Sequence, residues 1–194
     1  MNTEDRFRIL GAIELYGSIS FYGDSQYDDH EGRSSVLGKA LAVQLNMPNG
    51  FIEVLEFCFD LHDIGKVIID EKTRNKPKLN ASEMNMVRGH AMYGAKMIGR
   101  LNIETSLKKI IADAIHYHHE DWDGRGYPCR LQREEIPIEA RIIRVVDSYD
   151  AMTHDRPYRK AFTHGHTMVE MEKRIGLAYD PTIFNVFKRM IASG

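Results

Sequence analysis

The sequence has little of what marks disulfide-stapled, membrane-spanning or nucleic-acid-coating chains. Its two cysteines, Cys58 and Cys129, cannot build a disulfide framework and form no Cys-x-x-Cys pair. That leaves no thiolate metal cluster and fits a reducing compartment, so a cytoplasmic location is expected. Long apolar runs are missing too. The most apolar stretch, Phe51 to Leu61, is broken by Glu53, Glu56 and Asp60, whereas a membrane-spanning helix needs roughly 20 uncharged residues. Glu4, Asp5, Arg6 and Arg8 interrupt any signal-peptide core, so neither a leader nor a membrane anchor is expected. Neither sign of charge dominates: 26 Lys+Arg against 28 Asp+Glu give a formal charge of −2. A nucleic-acid polymer is therefore not an expected partner. Internal repeats, low-complexity tracts and interdomain linkers are absent. At 194 residues with 43% hydrophobic content, the chain is expected to form one globular unit.

What is present is helical periodicity. Apolar residues recur at spacings of three and four, and no strict alternation lasts long enough for a sheet, so the expected class is all-α. One helix is predicted over Gly32 to Asn46, with Val36, Leu37, Ala40, Leu41 and Leu45 as its stripe, stopped by Pro48-Asn49-Gly50. A second begins at Phe51 and ends on His62-Asp63. Asp70 to Lys78 reads as a loop. Asn80 with Glu83 reads as a capping box opening one helix through Met84, Val87, His90, Met97 and Ile98. Thr105 to His119 follows, with Leu107, Ile110, Ile111, Ala114 and Ile115 buried. Asp121 to Gln132 reads as a loop, and Pro137 starts a helix from Ile138 to about Met152. Asp180-Pro181 caps a terminal helix carrying Phe184, Phe187 and Ile191.

Polar residues fall where a core should be. His118 continues the stripe of Leu107, Ile111, Ala114 and Ile115, and Asp147 lies four residues after Ile143 and four before Ala151. A single inward histidine is most often a hydrogen-bonded core residue. Several inward imidazoles and carboxylates from different helices are another matter, because a buried charge costs several kcal/mol unless it is paired or metal-bound. His30, His62, Asp63, His90, His118, His119 and Asp147 supply five imidazoles and two carboxylates. That exceeds the four ligands of a structural zinc. It suits two six-coordinate first-row ions, with iron or manganese favoured over magnesium by the imidazole content. Two such ions roughly 3.5–4 Å apart turn water into a nucleophile for phosphate esters, so the donor set points to phosphodiester hydrolysis.

Three spaced motifs carry a family resemblance: His62-Asp63-Ile64-Gly65-Lys66; His118-His119-Glu120-Asp121-Trp122-Asp123-Gly124-Arg125-Gly126-Tyr127-Pro128; and Asp147-Ser148-Tyr149-Asp150-Ala151-Met152-Thr153 with Arg156-Pro157-Tyr158-Arg159. Together they resemble the signature of HD-GYP domains, a branch of the HD metal-dependent phosphohydrolases. The resemblance implies a compact helical HD fold over residues 28–194, preceded by an N-terminal helical segment, 1–27. It implies an enzyme that linearises a bacterial cyclic dinucleotide, cyclic di-GMP to pGpG and in some members on to GMP, by bridging-hydroxide attack at a binuclear site. His30, His62 and Asp147 would hold the first metal, and His90, His118 and His119 the second, with Asp63 bridging. Lys66 would touch a phosphate oxygen or act as general acid. Tyr127, Arg156 and Arg159 match substrate-contacting positions, Arg being suited to phosphate. Gly124, Gly126 and Pro128 form the motif loop, lining the cleft and offering a surface to a diguanylate cyclase. Gln26 stands where some members carry a glutamate for a third metal, so a binuclear site is implied rather than a trinuclear one.

The remaining residues receive structural readings. Asp150, Glu120 and Asp123 read as supporting groups, and His116, His154, His164 and His166 as surface residues; Trp122 either packs under the loop or stacks on a base. Two readings compete with cyclic di-GMP hydrolysis. One is a hydrolase of mixed cyclic GMP-AMP or another nucleotide; the other is a non-catalytic cyclic-dinucleotide receptor or adaptor. Because HD-GYP domains usually follow a sensory domain, and only a short segment precedes the signature here, regulatory input is expected from a partner such as a separate sensory protein, from expression level, or from metal or redox state.

Overall fold

The computed structural model describes residues 1–20, 27–74, 76–155 and 159–193, with side chains described outside residues 16–29 and 31. Ten α-helices follow one another among these residues: α1 (Thr3–Ser20), α2 (Tyr27–Gln44), α3 (Asn49–Leu61), α4 (Glu71–Arg74), α5 (Ala81–Arg88), α6 (His90–Gly99), α7 (Thr105–Tyr117), α8 (Ile138–Thr153), α9 (His164–Glu172) and α10 (Pro181–Ala192). A 3-10 turn, Ile64–Ile68, joins α3 to α4, and a shorter one, Arg133–Glu135, precedes α8. Among the described residues the only β feature is an isolated bridge between Ile175 and Tyr179. The all-α expectation is met, and among these residues no helix is long and apolar enough to cross a membrane.

The core lies where α2, α3, α6, α7 and α8 meet. Leu41, Leu55, Phe59, Leu61, Ile111, Ile115, Ile142, Ile143 and Val146 are fully buried there, each stabilising the fold by roughly 1.5–3 kcal/mol through transfer from water. α10 closes one side with Phe184 and Phe187. Its first turn is capped by Asp180, which accepts from Thr182 N and Ile183 N and pairs with Arg141 of α8 at 2.8 Å. α1 packs on α3 and the 3-10 turn, sending Ile9 into the core, while Asp5 accepts from Glu104 N at 3.2 Å.

Four expectations are corrected. The inward face of α2 is only partly the aliphatic stripe: Leu41 is buried and Leu37 and Leu45 pack on the core, but Val36 is 71% exposed and Ala40 is exposed, and Ser34, Ser35, Gly38 and Ala42 are buried instead. The reason is close approach, since a Cβ on Gly38 would lie 1.9 Å from the Phe59 ring. Small residues here admit α3, and hydrophobic periodicity is blind to them. Ile110 is likewise exposed, at 38%. Finally, the helix predicted from Asn80 through Ile98 breaks at Gly89 into α5 and α6. The Asn80–Glu83 capping box is present, but a Cβ on Gly89 would already crowd Met86 O at 3.1 Å, and His90 bonds Val87 O across the junction. Asp70 to Lys78, expected to be loop, contains α4, whose first turn Asp70 caps through Thr73 N and Thr73 Oγ1.

Candidate metal centre

Five elements deliver polar side chains to one buried point. His30 comes from α2, His62 and Asp63 from the junction of α3 with the 3-10 turn, His90 from the first turn of α6, His118 and His119 from the end of α7, and Asp147 from α8. Their potential ligand atoms fall into two groups, His30, His62 and Asp147 in one and Asp63, His90, His118 and His119 in the other, each with all atoms within 4.8 Å of one another. Asp63 stands between them. Its Oδ1 lies 3.3 Å from His90 Nε2 and 3.9 Å from His118 Nε2, and its Oδ2 lies 3.4 Å from His62 Nε2. Asp147 Oδ1 is 3.3 Å from His30 Nε2 and 3.9 Å from His62 Nε2.

Local hydrogen bonding decides which nitrogen each ring offers. The Nδ1 atoms of His62, His90 and His118 lie 2.7, 2.6 and 2.7 Å from the carbonyl oxygens of Phe59, Val87 and Ile115, each three residues back. A carbonyl only accepts, so each Nδ1 carries the proton and each Nε2 points inward as a lone pair. His30 is held through its Nδ1 by Asp150, which also accepts from Arg33 Nε at 2.9 Å. Such carboxylate and carbonyl partners are how ligating histidines are oriented.

The donor arrangement fits a bound cation. His30 Nε2 and His62 Nε2 are buried without a hydrogen-bond partner, an omission worth roughly 1–3 kcal/mol per group if left unmet. His90 Nε2 and His118 Nε2 face each other at 3.3 Å, two lone pairs that repel unless a positive charge lies against them. Electrostatics favour the ligating protonation states of His118, His119, Asp63 and Asp147. Burial and the neighbouring imidazoles of His62 and His90 push His118 down to about 3, and burial with His118 and His90 holds His119 low. Asp63 stays ionised despite its burial because Lys66, His62 and His90 outweigh it; His30 does the same for Asp147. For His30, burial opposes protonation, but the Asp147 carboxylate 3.3 Å from Nε2 and the bond from Nδ1 to Asp150 prevail and raise it to about 9. An ion between His30 and Asp147 would therefore compete with a proton.

The predicted motif loop reaches this cluster through Tyr127, and its two glycines have separate reasons. Gly124 has φ +81°, a left-handed conformation that favours glycine. A Cβ on Gly126 would lie 2.2 Å from Asp121 N, so the backbone there passes too close for any side chain. Glu120, 2% exposed, accepts from Cys129 N at 2.6 Å and Arg130 N at 3.0 Å, tying the end of the loop back to the histidine pair. Tyr127 stacks on His119 with centroids 4.7 Å apart, and Lys66 donates to Asp63 Oδ2. Trp122 lies beneath the Arg141 guanidinium, 5.7 Å from its ring.

Arg159 donates to the carbonyls of Ala151, Met152 and Lys160 and covers Phe162 at 4.4 Å, so it engages the end of α8. Arg156 and Gln26 lie outside the described residues. His116 and His154 are half-buried rather than on the surface: His154 Nδ1 is 3.1 Å from Asp150 Oδ1, and His116 Nε2 is 3.9 Å from Cys129 Sγ. Arg144, absent from the sequence-based reading, bonds Asp121 at 2.7 Å and Ser148 at 2.8 Å and so fixes the loop to α8. Its position three residues before Asp147, on the same helical face, was the available signal. Arg88, also unread, lies over Tyr127.

Comparison with known proteins places this geometry in a family. The HD domain model matches residues 24–183. A cyclic di-GMP phosphodiesterase of Thermotoga maritima is 31% identical over 189 residues, 97% of this chain and 51% of that protein. The cyclic di-GMP phosphodiesterase PA4108 of Pseudomonas aeruginosa is 37% identical over 153 residues, 78% of this chain and 36% of its own length. The chain thus spans about half or less of these relatives. Among solved structures, Bd1817, an HDGYP protein from Bdellovibrio bacteriovorus, superposes with a TM-score of 0.66 at 17% identity, over 85% of this chain and 52% of its own. With the HD domain model covering residues 24–183 and the His-Asp pair at 62–63, the chain belongs to the HD domain family.

Proposed function

We propose that the protein is a metal-dependent phosphodiesterase that hydrolyses a bacterial cyclic dinucleotide, cyclic di-GMP to pGpG, in the cytoplasm. One observation carries the reading: seven buried or half-buried imidazoles and carboxylates gather in two adjacent groups, the potential ligand atoms of each lying within 4.8 Å of one another. His30, His62 and Asp147 would hold one divalent ion, iron or manganese, and His90, His118 and His119 a second, with Asp63 shared. When bound, such a pair supplies Lewis acidity that makes water nucleophilic at neutral pH and offsets charge on a phosphate undergoing in-line displacement. Names of relatives support the substrate class: both curated proteins above are called cyclic di-GMP phosphodiesterases. A diguanylate cyclase or a separate sensory protein is the proposed partner.

The chain's own residues divide the remaining work. Asp150 holds the His30 ring in orientation through Nδ1. Lys66, its ammonium against Asp63, stands where it can neutralise a phosphate oxygen or give a proton to the departing ribose oxygen. Tyr127 covers the His119 edge of the cluster and helps exclude bulk water. Chromatography of cyclic di-GMP incubated with manganese- or iron-loaded protein tests the proposal: a linear dinucleotide is expected, and intact substrate from metal-loaded protein overturns it in favour of a receptor. A more pointed expectation concerns Lys66. Lys66→Met is expected to lower kcat by about 10²–10⁴-fold while elemental analysis finds the metal content unchanged. Equal loss of metal and activity would assign Lys66 a structural role.

A further inference from the structure

Arg88, the last residue of α5, stands apart from the other arginines near the cluster. Arg33 is held by Asp150, Arg144 by Asp121 and Arg159 by backbone carbonyls. Arg88 is exposed and, among the described residues, has no carboxylate or carbonyl partner. Its guanidinium carbon lies 5.3 Å from the centroid of Tyr127, whose ring stacks on His119 with an interplanar angle of 26°. Tyr127 lies within electrostatic reach of Lys66, Asp63 and Asp147. A column of guanidinium, phenol and imidazole therefore runs from the surface to the candidate metal ligands. The backbone that carries Arg88 is held in place, because His90, two residues on, is pinned to Val87 O.

A guanidinium lying against an aromatic ring keeps its in-plane N–H groups directed outward, where they can meet an anion. The sites nearer the cluster already hold a cation for a reacting phosphate, in Lys66. A cyclic dinucleotide carries a second phosphodiester across its ring, which must be met by another positive group or left in water. We propose that Arg88 is a further substrate-binding residue, taking the second, non-reacting phosphate of the cyclic dinucleotide. This rests on the phosphodiesterase reading above.

The test compares kcat and KM of wild type, Arg88→Ala and Arg88→Lys on cyclic di-GMP and on bis(p-nitrophenyl) phosphate, which has one phosphate only. A charge-assisted contact predicts that Arg88→Ala raises KM for cyclic di-GMP by about 10–100-fold, with kcat/KM on the single-phosphate ester falling at least tenfold less. Arg88→Lys is expected to regain most of the lost affinity, since phosphate accepts a point charge. Equal losses on both substrates would show that Arg88 merely props up Tyr127 and would overturn the proposal. So would no loss at all, or an Arg88→Lys variant as weak as Arg88→Ala, which would indicate a purine edge read by the guanidinium fork. Wild type that cleaves the single-phosphate ester but no cyclic dinucleotide overturns the functional reading and this one together. Wild type active on cyclic di-GMP and matched by Arg88→Ala overturns this one alone.

Discussion

Asp63→Asn is expected to lower hydrolysis of cyclic di-GMP by about 10³-fold, the scale of losing a preorganised charged group at a reaction centre, and to deplete the metal content together with the activity. The argument rests on where the carboxylate sits. Asp63 is 2% exposed, with one oxygen toward His90 and His118 and the other toward His62 and Lys66. Among the described residues it is the one carboxylate facing both ligand groups. Lys66 and the surrounding imidazoles keep it ionised against burial, so at neutral pH it is a full anion poised for a cation. Asparagine preserves shape and volume but removes that charge, so far-UV circular dichroism should report an intact helical fold. Asp123→Asn, in the motif loop and paired with Arg125 rather than turned to the cluster, should retain nearly full activity. Wild-type metal content and turnover in Asp63→Asn would contradict the assignment.

The largest expected effect on stability comes from a residue without a side chain. Gly65→Ala is expected to destabilise the protein by about 3 kcal/mol or more, the upper range for overpacking, and to lower Tm by about 6–12 °C in a domain of this size. A Cβ there would lie 2.0 Å from His90 O and 2.6 Å from Gly94 N. Both are backbone atoms of α6, so no rotamer change relieves the clash. Gly94 mirrors the constraint from the other helix, since its own Cβ would meet Ile115 and Ile64. The pair lets the 3-10 turn after Asp63 pass directly over the start of α6, which is what brings Asp63 within reach of His90. Gly65→Ala should therefore also weaken metal retention. Gly99→Ala, where a Cβ meets nothing within 4 Å, should be neutral or slightly stabilising. Thermal unfolding of the two variants side by side decides the matter: equal Tm values would refute the close-packing account.

Much of this was legible in the sequence because helical spacing is a direct statement about direction. His118 and Asp147 could be turned inward from their positions among Leu107, Ile111, Ile115 and Ile143 alone, and the structure brings them to one cluster with the other five donors. Capping signals were equally direct, at Asn80 with Glu83 and at Asp180 with Pro181. What escaped depends on contacts distant along the chain. Ser34 and Gly38 carry no hydrophobic signal, and only the Phe59 ring explains why that face is inside. The break at Gly89 hides within an unbroken apolar period, because glycine is tolerated in helices. Arg88 and Arg144 read as ordinary surface charges until Tyr127 and Asp121 are brought beside them. Arg159 matched a motif position, yet its carbonyl partners at the end of α8 could not be foreseen.

Elemental analysis of protein purified without oxygen and loaded with iron or manganese tests the central claim most directly. The account predicts about two transition-metal ions per chain, as a paired site requires, falling to about one or fewer in His119→Ala. A loaded chain that retains no transition metal, with its fold intact, would contradict it.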